Sequence, residues 1–358
     1  MINITVKKAS PAELRSKPAP GSALGFGKIL TDHLFVMDYE EGKGWFNPRI
    51  EPYQPFLMDP ATLVLHYGQE VFEGMKAYRW QNGEICLFRP RNNYERLNRS
   101  ARRLCMPEIN VDDAMEATRQ LVRIEKDWIP SEPGTSLYIR PNMIASEAAL
   151  GVHVSSKYMF YIIVGPVGAY YPQGFNPTDI YVSEKYTRAA VGGLGEAKTS
   201  GNYAASLLAQ KEAHDLGYTQ VLWLDAVERK YIEEVGTSNI FFFVGNELIT
   251  PSLTGTILPG ITRDSVIRMA RDWGMKVSER KISLEEVLST AENGTLKEVF
   301  ASGTAAVISP VGKLAYRGKT HVINHGKVGS LSQKLYDSIM GIQYGKAKDP
   351  YGWIEKVM

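Results

Sequence analysis

Val191-Gly192-Gly193-Leu194-Gly195-Glu196-Ala197-Lys198-Thr199-Ser200-Gly201-Asn202-Tyr203 is the stretch on which the reading of this chain turns. Glycines crowd both sides of Lys198, so the backbone can bend tightly and come close to a ligand. A helix is expected to follow over residues 204–216, closed by Gly217. A lysine kept for solubility usually sits on a polar helix face. One placed in a small-residue loop suits an amine that is held still and partly desolvated. Partial burial disfavours the ammonium form and frees the amine to attack a carbonyl. The plain alternative is a Gly-rich connector that carries a lysine. A second alternative is a phosphate-binding P-loop, which Gly192 to Thr199 nearly spell, with residues 221–225 as the acidic strand end. Against it, Ala197 stands where that motif has glycine, Thr187 to Ala190 separate the loop from its strand, and the later strands read as antiparallel.

The chain has 358 residues, 44% hydrophobic and 22% charged, with a net charge of +2. That is enough chain for two ordinary domains and a large core. The balanced charge argues against a nucleic-acid surface, which would carry a basic excess. The strongest apolar run, residues 158–164, is only strand-length and ends at Gly165-Pro166, so no membrane span is expected. The first residues, Met1-Ile2-Asn3-Ile4-Thr5-Val6-Lys7-Lys8, do not read as a signal peptide, and a cytoplasmic location is expected. Cys86, in an expected strand, and Cys105, at an expected helix end, form no C-x-x-C pair and read as buried reduced thiols. His321 and His325 are four apart, but Asn324 and Gly326 make that segment a turn, and no metal site is expected.

Taken in order, the chain reads as an α+β protein. An irregular arm leads to strand-like alternation at Gly25-Phe26-Gly27 and over 31–39. Residues 77–80 and 84–88 flank Asn82-Gly83 and read as a hairpin. Residues 91–104 and 111–128 read as helices, the first with a basic face of Arg96, Arg99, Arg102 and Arg103. Residues 136–143 and 158–164 read as strands, with Tyr138 and Arg140 on one face. Two prolines and a glycine mark an interdomain linker at 171–178, between a smaller domain at 1–170 and a larger one at 179–358 that carries Lys198. Further strands are expected at 179–182, 221–225, 230–235, 239–244 and 299–305, and helices at 263–273 and 331–344.

Three features suit an anion. Gly260-Ile261-Thr262 opens a helix, whose unpaired N–H groups and dipole favour a phosphate. Ser302-Gly303-Thr304 is a turn with N–H and hydroxyl donors. Arg96 can supply a forked cation. With Lys198, Tyr203 and a carboxylate at Glu234, these describe a pyridoxal phosphate site, in which a carboxylate keeps the pyridine nitrogen protonated. A non-catalytic metabolite-binding dimer is the other class of reading.

Glu196 to Tyr203, with Glu234-Val235-Gly236-Thr237-Ser238-Asn239-Ile240, resembles the branched-chain amino acid aminotransferases of pyridoxal phosphate fold type IV. So do Phe72-Glu73-Gly74-Met75-Lys76, Leu258-Pro259-Gly260 and Gly303-Thr304-Ala305. The likeness runs from Gly25 to Tyr344, and the length and Phe26-Gly27 resemble the longer, eukaryotic-like branch. The resemblance implies a two-domain fold, a mixed sheet or pseudo-barrel with surrounding helices. It implies that Lys198 forms the Schiff base and then carries the proton. Glu234 would pair with the pyridinium nitrogen and Tyr203 would donate to the ring oxygen. Arg96, Ile261, Thr262 and Thr304 would hold the phosphate, and Thr237 would border cofactor and substrate. Phe26, Tyr67, Phe72, Tyr138 and Tyr170 would line the pocket for leucine, isoleucine or valine, and Ala305 would help seat the α-carboxylate. Arg140 is the natural partner for the side-chain carboxylate of glutamate, the other amino donor. The family's sites are completed by a partner loop, so a homodimer is expected. Some animal members carry a C-x-x-C pair after the Gly-Thr-Ala turn; here Ala305-Ala306-Val307-Ile308-Ser309 has no cysteine. D-amino acid aminotransferases and aminodeoxychorismate lyases share the lysine and glutamate and are the alternatives within the fold type.

Overall fold

Strand alternation between residues 33 and 167 builds the first of two mixed sheets in a computed structural model that describes residues 2–168 and 174–358. In Lys157–Val167, Tyr158, Phe160, Ile162 and Val164 are each buried and point one way, as a period of two demands. The sheet has nine strands. They run in the order Thr5–Val6, Gly44–Pro52, His33–Glu40, Lys157–Val167, Ser136–Ala145, Met75–Arg79, Ile85–Phe88 and Ile354–Lys356. Glu70–Phe72 also pairs with Ser136–Ala145. The helices Pro90–Arg103 and Val111–Ile124 bury Tyr94, Leu97, Ala101, Met115 and Leu121 in this unit's core. Pro90 starts the first helix, where its missing N–H costs no hydrogen bond. Asn110 caps the second by accepting from Asp113 N at 3.0 Å.

The second unit holds another nine-stranded mixed sheet. Its order is Ile232–Val235, Gln220–Leu224, Thr178–Val182, Val307–Tyr316, Leu296–Gly303, Asn239–Val244, Glu247–Thr250 and Lys276–Glu279, with Lys319–Val322 also on Val307–Tyr316. Ile180, Leu222, Ile240, Phe242 and Val299 lie in its core. The strands Ile232–Val235 and Asn239–Val244 are far apart in that order, yet only residues 236–238 join them, through a bridge between Val235 and Ser238. So short a turn requires the sheet to curl. Glu298 is buried because it caps the helix Ser330–Gln343, accepting from Leu331 N and Ser332 N at 2.8 Å each.

The chain divides into Met1–Pro172, Ala197–Ser200 and Gly341–Met358 as one compact unit, and Gln173–Glu196 with Gly201–Met340 as the other. This differs from a division at 170 and 179 in two places. Lys198 packs with the first unit, because its neighbours Phe72 and Ser100 bind its backbone. The C-terminal segment returns to the first sheet as Ile354–Lys356 beside Ile85–Phe88. Residues 171–173 of the expected linker at 171–178 lie outside the described residues, and Thr178 already begins the strand Thr178–Val182.

The hairpin at Asn82-Gly83 forms, with strands Met75–Arg79 and Ile85–Phe88. Three expectations are corrected. Gly25-Phe26-Gly27 is no strand, because both glycines have positive φ, 62° and 74°. Cys105 is exposed, not buried: its φ of 55° turns the chain outward after the helix. The helix after Lys198 begins at Ser200 rather than 204, and the one after Gly260 begins at Ile261 rather than 263.

Gly74 separates Glu70–Phe72 from Met75–Arg79, and a Cβ there would fall on the Tyr138 hydroxyl and ring. Gly74→Ala is therefore expected to lower stability by about 1–3 kcal/mol, as overpacking does. Urea denaturation checks this, with Gly201→Ala, where a Cβ meets open space and φ is not positive, as the comparison.

Candidate active site

Lys198 is half-buried, directly ahead of the helix Ser200–Asp215. Its N–H donates to Ser100 Oγ at 2.9 Å, and its carbonyl accepts from Phe72 N at 3.0 Å. With the backbone pinned on both sides, only the side chain is left to move. Its Nζ lies 4.7 Å from the centroid of the Phe72 ring, and Arg140 Cζ lies 4.7 Å from the same centroid. One aromatic face thus serves two cations. Arg140 Nη2 also donates to the Tyr138 hydroxyl at 3.0 Å, and Phe26 meets Tyr138 edge-on with centroids 4.9 Å apart. The first unit thereby brings together Phe26, Phe72, Tyr138, Arg140 and Lys198. Tyr67 stands apart, 44% exposed at the end of the helix Leu63–Tyr67, with its hydroxyl on the Leu150 carbonyl. Tyr170 lies outside the described residues.

Arg96 does not belong to a solvated basic face. It is buried, with Nε and Nη2 forked onto the two oxygens of Glu73 at 2.7 and 2.8 Å. Asn93 Nδ2 adds a further bond to Glu73 at 2.8 Å. Burial alone would push the Glu73 carboxyl up. The Arg96 guanidinium, the Lys198 ammonium and Asn93 outweigh it and hold the carboxyl below its usual range. Glu73 is thus a charged partner that sequence reasoning did not assign. The glutamate between Phe72 and Gly74 was visible, but its arginine lies a helix away. Lys76 was missed as well. It pairs across the sheet with Tyr138, and burial pushes its ammonium down to about 8.

In the second unit, Glu234 is the centre. Its Oε2 meets Arg188 Nε at 2.6 Å, and its Oε1 accepts from Asn239 Nδ2 at 2.9 Å and Leu258 N at 3.2 Å. A carboxylate that receives three donors at a buried site is held in its ionised, accepting form. Tyr203, Glu234, Thr237 and Leu258 line one small cleft together with Arg188. Ile261 and Thr262 are the first residues of the helix Ile261–Asp272, which has no side-chain cap. Thr304 and Ala305 lie in the turn at 304–306, closed by the pairing of Gly303 with Val307. The neighbouring Ser302 hydroxyl is buried without a hydrogen-bond partner. Arg188 was missed by sequence reasoning, since nothing local links it to a glutamate so far along the chain.

The first unit thus holds a pinned lysine beside an aromatic wall and an arginine, and the second holds a supported carboxylate and two donor-rich turns. The family model described as Amino-transferase class IV matches residues 70–314. The chain belongs to the class IV aminotransferases. Within them it falls among the branched-chain-amino-acid transaminases: it is 53% identical over 357 residues to branched-chain-amino-acid transaminase 1 of Bacillus subtilis (strain 168), covering 99% of this chain and 100% of that one. Its fold is similar to the branched-chain amino acid aminotransferase of Escherichia coli, with TM-score 0.76, 29% identity, and 91% of this chain and 99% of that one covered. It is also similar to the branched-chain amino acid aminotransferase of Thermobaculum terrenum, solved in its PLP-form, with TM-score 0.74, 28% identity and coverage of 93% and 100%. The P-loop reading falls with this membership, and the loop itself shows why. Residues 183–196 are turns and bends, with no strand running into the glycines.

Among the described residues of this class IV aminotransferase, no cluster of side chains could hold a metal ion. Glu73→Gln is expected to cost about 3–5 kcal/mol, because it leaves the Arg96 charge buried and uncompensated. The folded carboxyl is depressed, so its contribution is present above the ordinary carboxylate value of 4.5 and is lost as pH falls through the folded value. Urea melts across acid pH should therefore show wild type and variant converging at the acid end. Parallel curves would count against the assignment.

Proposed function

We propose that this transaminase moves the amino group reversibly between L-leucine, L-isoleucine or L-valine and 2-oxoglutarate, with pyridoxal 5'-phosphate as its cofactor. The observation that carries the reading is the buried Glu234, met by Arg188 at 2.6 Å and bordering the cleft that Tyr203 and Thr237 line. A supported carboxylate is the partner that a protonated pyridine nitrogen needs. The uncapped helix start at Ile261 and the unpaired Ser302 hydroxyl beside the 304–306 turn suit a phosphate. When bound, pyridoxal 5'-phosphate supplies an electron sink for the charge left on the substrate Cα.

Lys198 would hold the cofactor through its ε-amine, the one amine placed to move a proton at the substrate Cα. Its pinned backbone confines that motion to the side chain. Glu234 would pair with the ring nitrogen, and Tyr203 would donate to the ring oxygen. The phosphate would be held by the N–H groups of Ile261 and Thr262 and the Thr304 hydroxyl, and Arg96, oriented by Glu73, is the cation proposed for it. Thr237 borders cofactor and substrate, and the Ala305 N–H helps seat the α-carboxylate. Phe26, Phe72 and Tyr138, with Tyr170, would receive the branched side chain, whereas Tyr67, exposed and turned to Leu150, stands apart from them. Arg140, above the Phe72 ring and bonded to Tyr138, takes the second carboxylate of glutamate.

We also propose a homodimer working in the cytoplasm. Leu57, Leu65, Leu150, Val152 and Val154 are exposed apolar residues of the first unit. The Tyr67–Leu150 hydrogen bond and the Thr62–Ala148 bridge tie their loops together. A second copy is the natural cover for such a patch. Among the described residues, no helix is long and apolar enough to cross a membrane.

Borohydride reduction of the cofactor-loaded protein is expected to leave a pyridoxyl group on the peptide that holds Lys198, detected by mass spectrometry; the group on any other peptide would sink the reading. Steady-state assays should show L-leucine, L-isoleucine and L-valine used with kcat/KM values within roughly a hundredfold of one another, since one methylene separates substrates by only about 1–3 kcal/mol. A preference for D-alanine over L-leucine would point to a D-amino acid enzyme. Val152→Asp with Leu150→Asp should halve the mass measured by light scattering; a wild-type protein already monomeric and fully active would rule out the dimer.

A further inference from the structure

Behind Glu234 runs a chain of buried contacts that the transfer chemistry leaves unused. Arg188 reaches Glu234 Oε2 through Nε at 2.6 Å. Its Nη1 donates to the Thr256 carbonyl at 2.8 Å, and Nη1 and Nη2 both reach the Gly195 carbonyl at 3.2 Å. Thr256 Oγ1 in turn donates to Glu233 Oε1 at 2.6 Å. The Arg188 and Glu234 side chains are 7% and 3% exposed. Gly195 is required at its place, since a Cβ there would fall on the Thr256 backbone. Removing that carbonyl contact would take the brace off the guanidinium. The other Glu233 oxygen is buried with no hydrogen-bond partner, and burial holds that carboxyl above its usual range. Two adjacent glutamates on the strand Ile232–Val235 thus have opposite surroundings, one met by a cation and one by a hydroxyl.

We propose that Arg188 is a positioning residue: braced by the Gly195 and Thr256 carbonyls and by the Thr256–Glu233 hydrogen bond, it fixes Glu234 as a carboxylate, so that a ring nitrogen bound against Glu234 keeps its own proton. The proposal rests on the reading that Glu234 faces the cofactor ring nitrogen. Three donors converge on Glu234, and protonating it would set an O–H against one of them. Arg188 is the only one of the three that carries charge. Without it, a carboxyl so deeply buried takes the proton itself. The hydrogen bond to the ring would then reverse, running from Glu234 to an unprotonated nitrogen, and the ring would draw electrons less strongly. Lysine at position 188 would keep the charge but could not reach two carbonyls and a carboxylate in one plane.

The test compares Arg188→Met, Arg188→Lys, Thr256→Val and Glu234→Gln as cofactor-loaded proteins. In Arg188→Met, kcat for L-leucine with 2-oxoglutarate should fall roughly ten- to a hundredfold, the range seen when a ligand's outer partner is lost, while KM changes little. Near neutral pH its infrared difference spectrum should show the stretch of a protonated carboxyl that disappears when Glu234→Gln is added. Arg188→Lys should recover part of kcat and lose that stretch. Thr256→Val should move kcat in the same direction as Arg188→Met, but less. The proposal is overturned if Arg188→Met turns over as wild type without a protonated carboxyl, or if Arg188→Lys restores neither signal. Should Arg188→Met fail to fold, Arg188→Lys and Thr256→Val carry the test, and wild-type kcat in both overturns it. Failure of the underlying reading looks different: Glu234→Gln would then bind cofactor and turn over as wild type, while the infrared signal of Arg188→Met still reports whether Arg188 sets the charge on Glu234.

Discussion

A carboxylate taken out of water must be met by a cation or by several donors, and each of the two units is arranged around one such requirement. In the first it is Glu73, fully buried, with the Arg96 fork and Asn93 closing on both oxygens. In the second it is Glu234, with Arg188, Asn239 and the Leu258 N–H. The cost of stripping water from an ion is several kcal/mol, so half-made versions of either cluster are much worse than the complete one. That asymmetry lets polar groups define a geometry that apolar packing alone would leave loose. Each cluster draws its members from separate elements: a loop and the helix Pro90–Arg103 in the first unit, two strands and two loops in the second.

The backbone then converts these anchors into directions for the working side chains. Tyr138 and Arg140 share a face because strand side chains alternate, and Phe72 joins them from the neighbouring strand. Lys198 is tied by its N–H and carbonyl to Ser100 and Phe72, so a residue on a loop is placed as accurately as one on a strand. The anion-seating features use the opposite device. A helix start and a tight turn hold backbone donors rigidly, and the helix dipole adds a positive field, which together suit a negatively charged group. A catalytic amine needs fixed backbone with a mobile side chain, whereas a phosphate seat needs fixed donors.

Local rules carried much of the sequence reading. The Asn82-Gly83 hairpin, the strand Asn239–Val244 and the helix that follows Lys198 depend on a few adjacent residues, and the fold shows each of them. The errors came where a local rule had a competitor. Gly25-Phe26-Gly27 alternates like a strand, yet positive φ at both glycines makes it a bend. Cys105 resembles a core residue by type, but the left-handed turn after the helix Pro90–Arg103 exposes it. The strand Gly44–Pro52 went unread because its Gly, Asn and Pro weaken the pattern; pairing with His33–Glu40 and Thr5–Val6 supplies what its own residues lack.

The residue types proposed for the site were legible in the sequence alone. A lysine among glycines, a glutamate before Val-Gly-Thr, and Gly-rich starts to a helix and a turn are properties of short runs of residues, and those runs carried the family resemblance. Tertiary structure decided which charges serve one another. Arg96 read as one arginine among several on a basic helix, and only packing against Glu73 made it a buried fork. Arg188 had no visible purpose until folding set it beside Glu234, which no spacing along the chain foretells. The reason is physical: conformational preference and catalytic type reside in a residue and its chain neighbours, whereas desolvation and charge pairing depend on whatever distant groups the fold brings within a few ångströms.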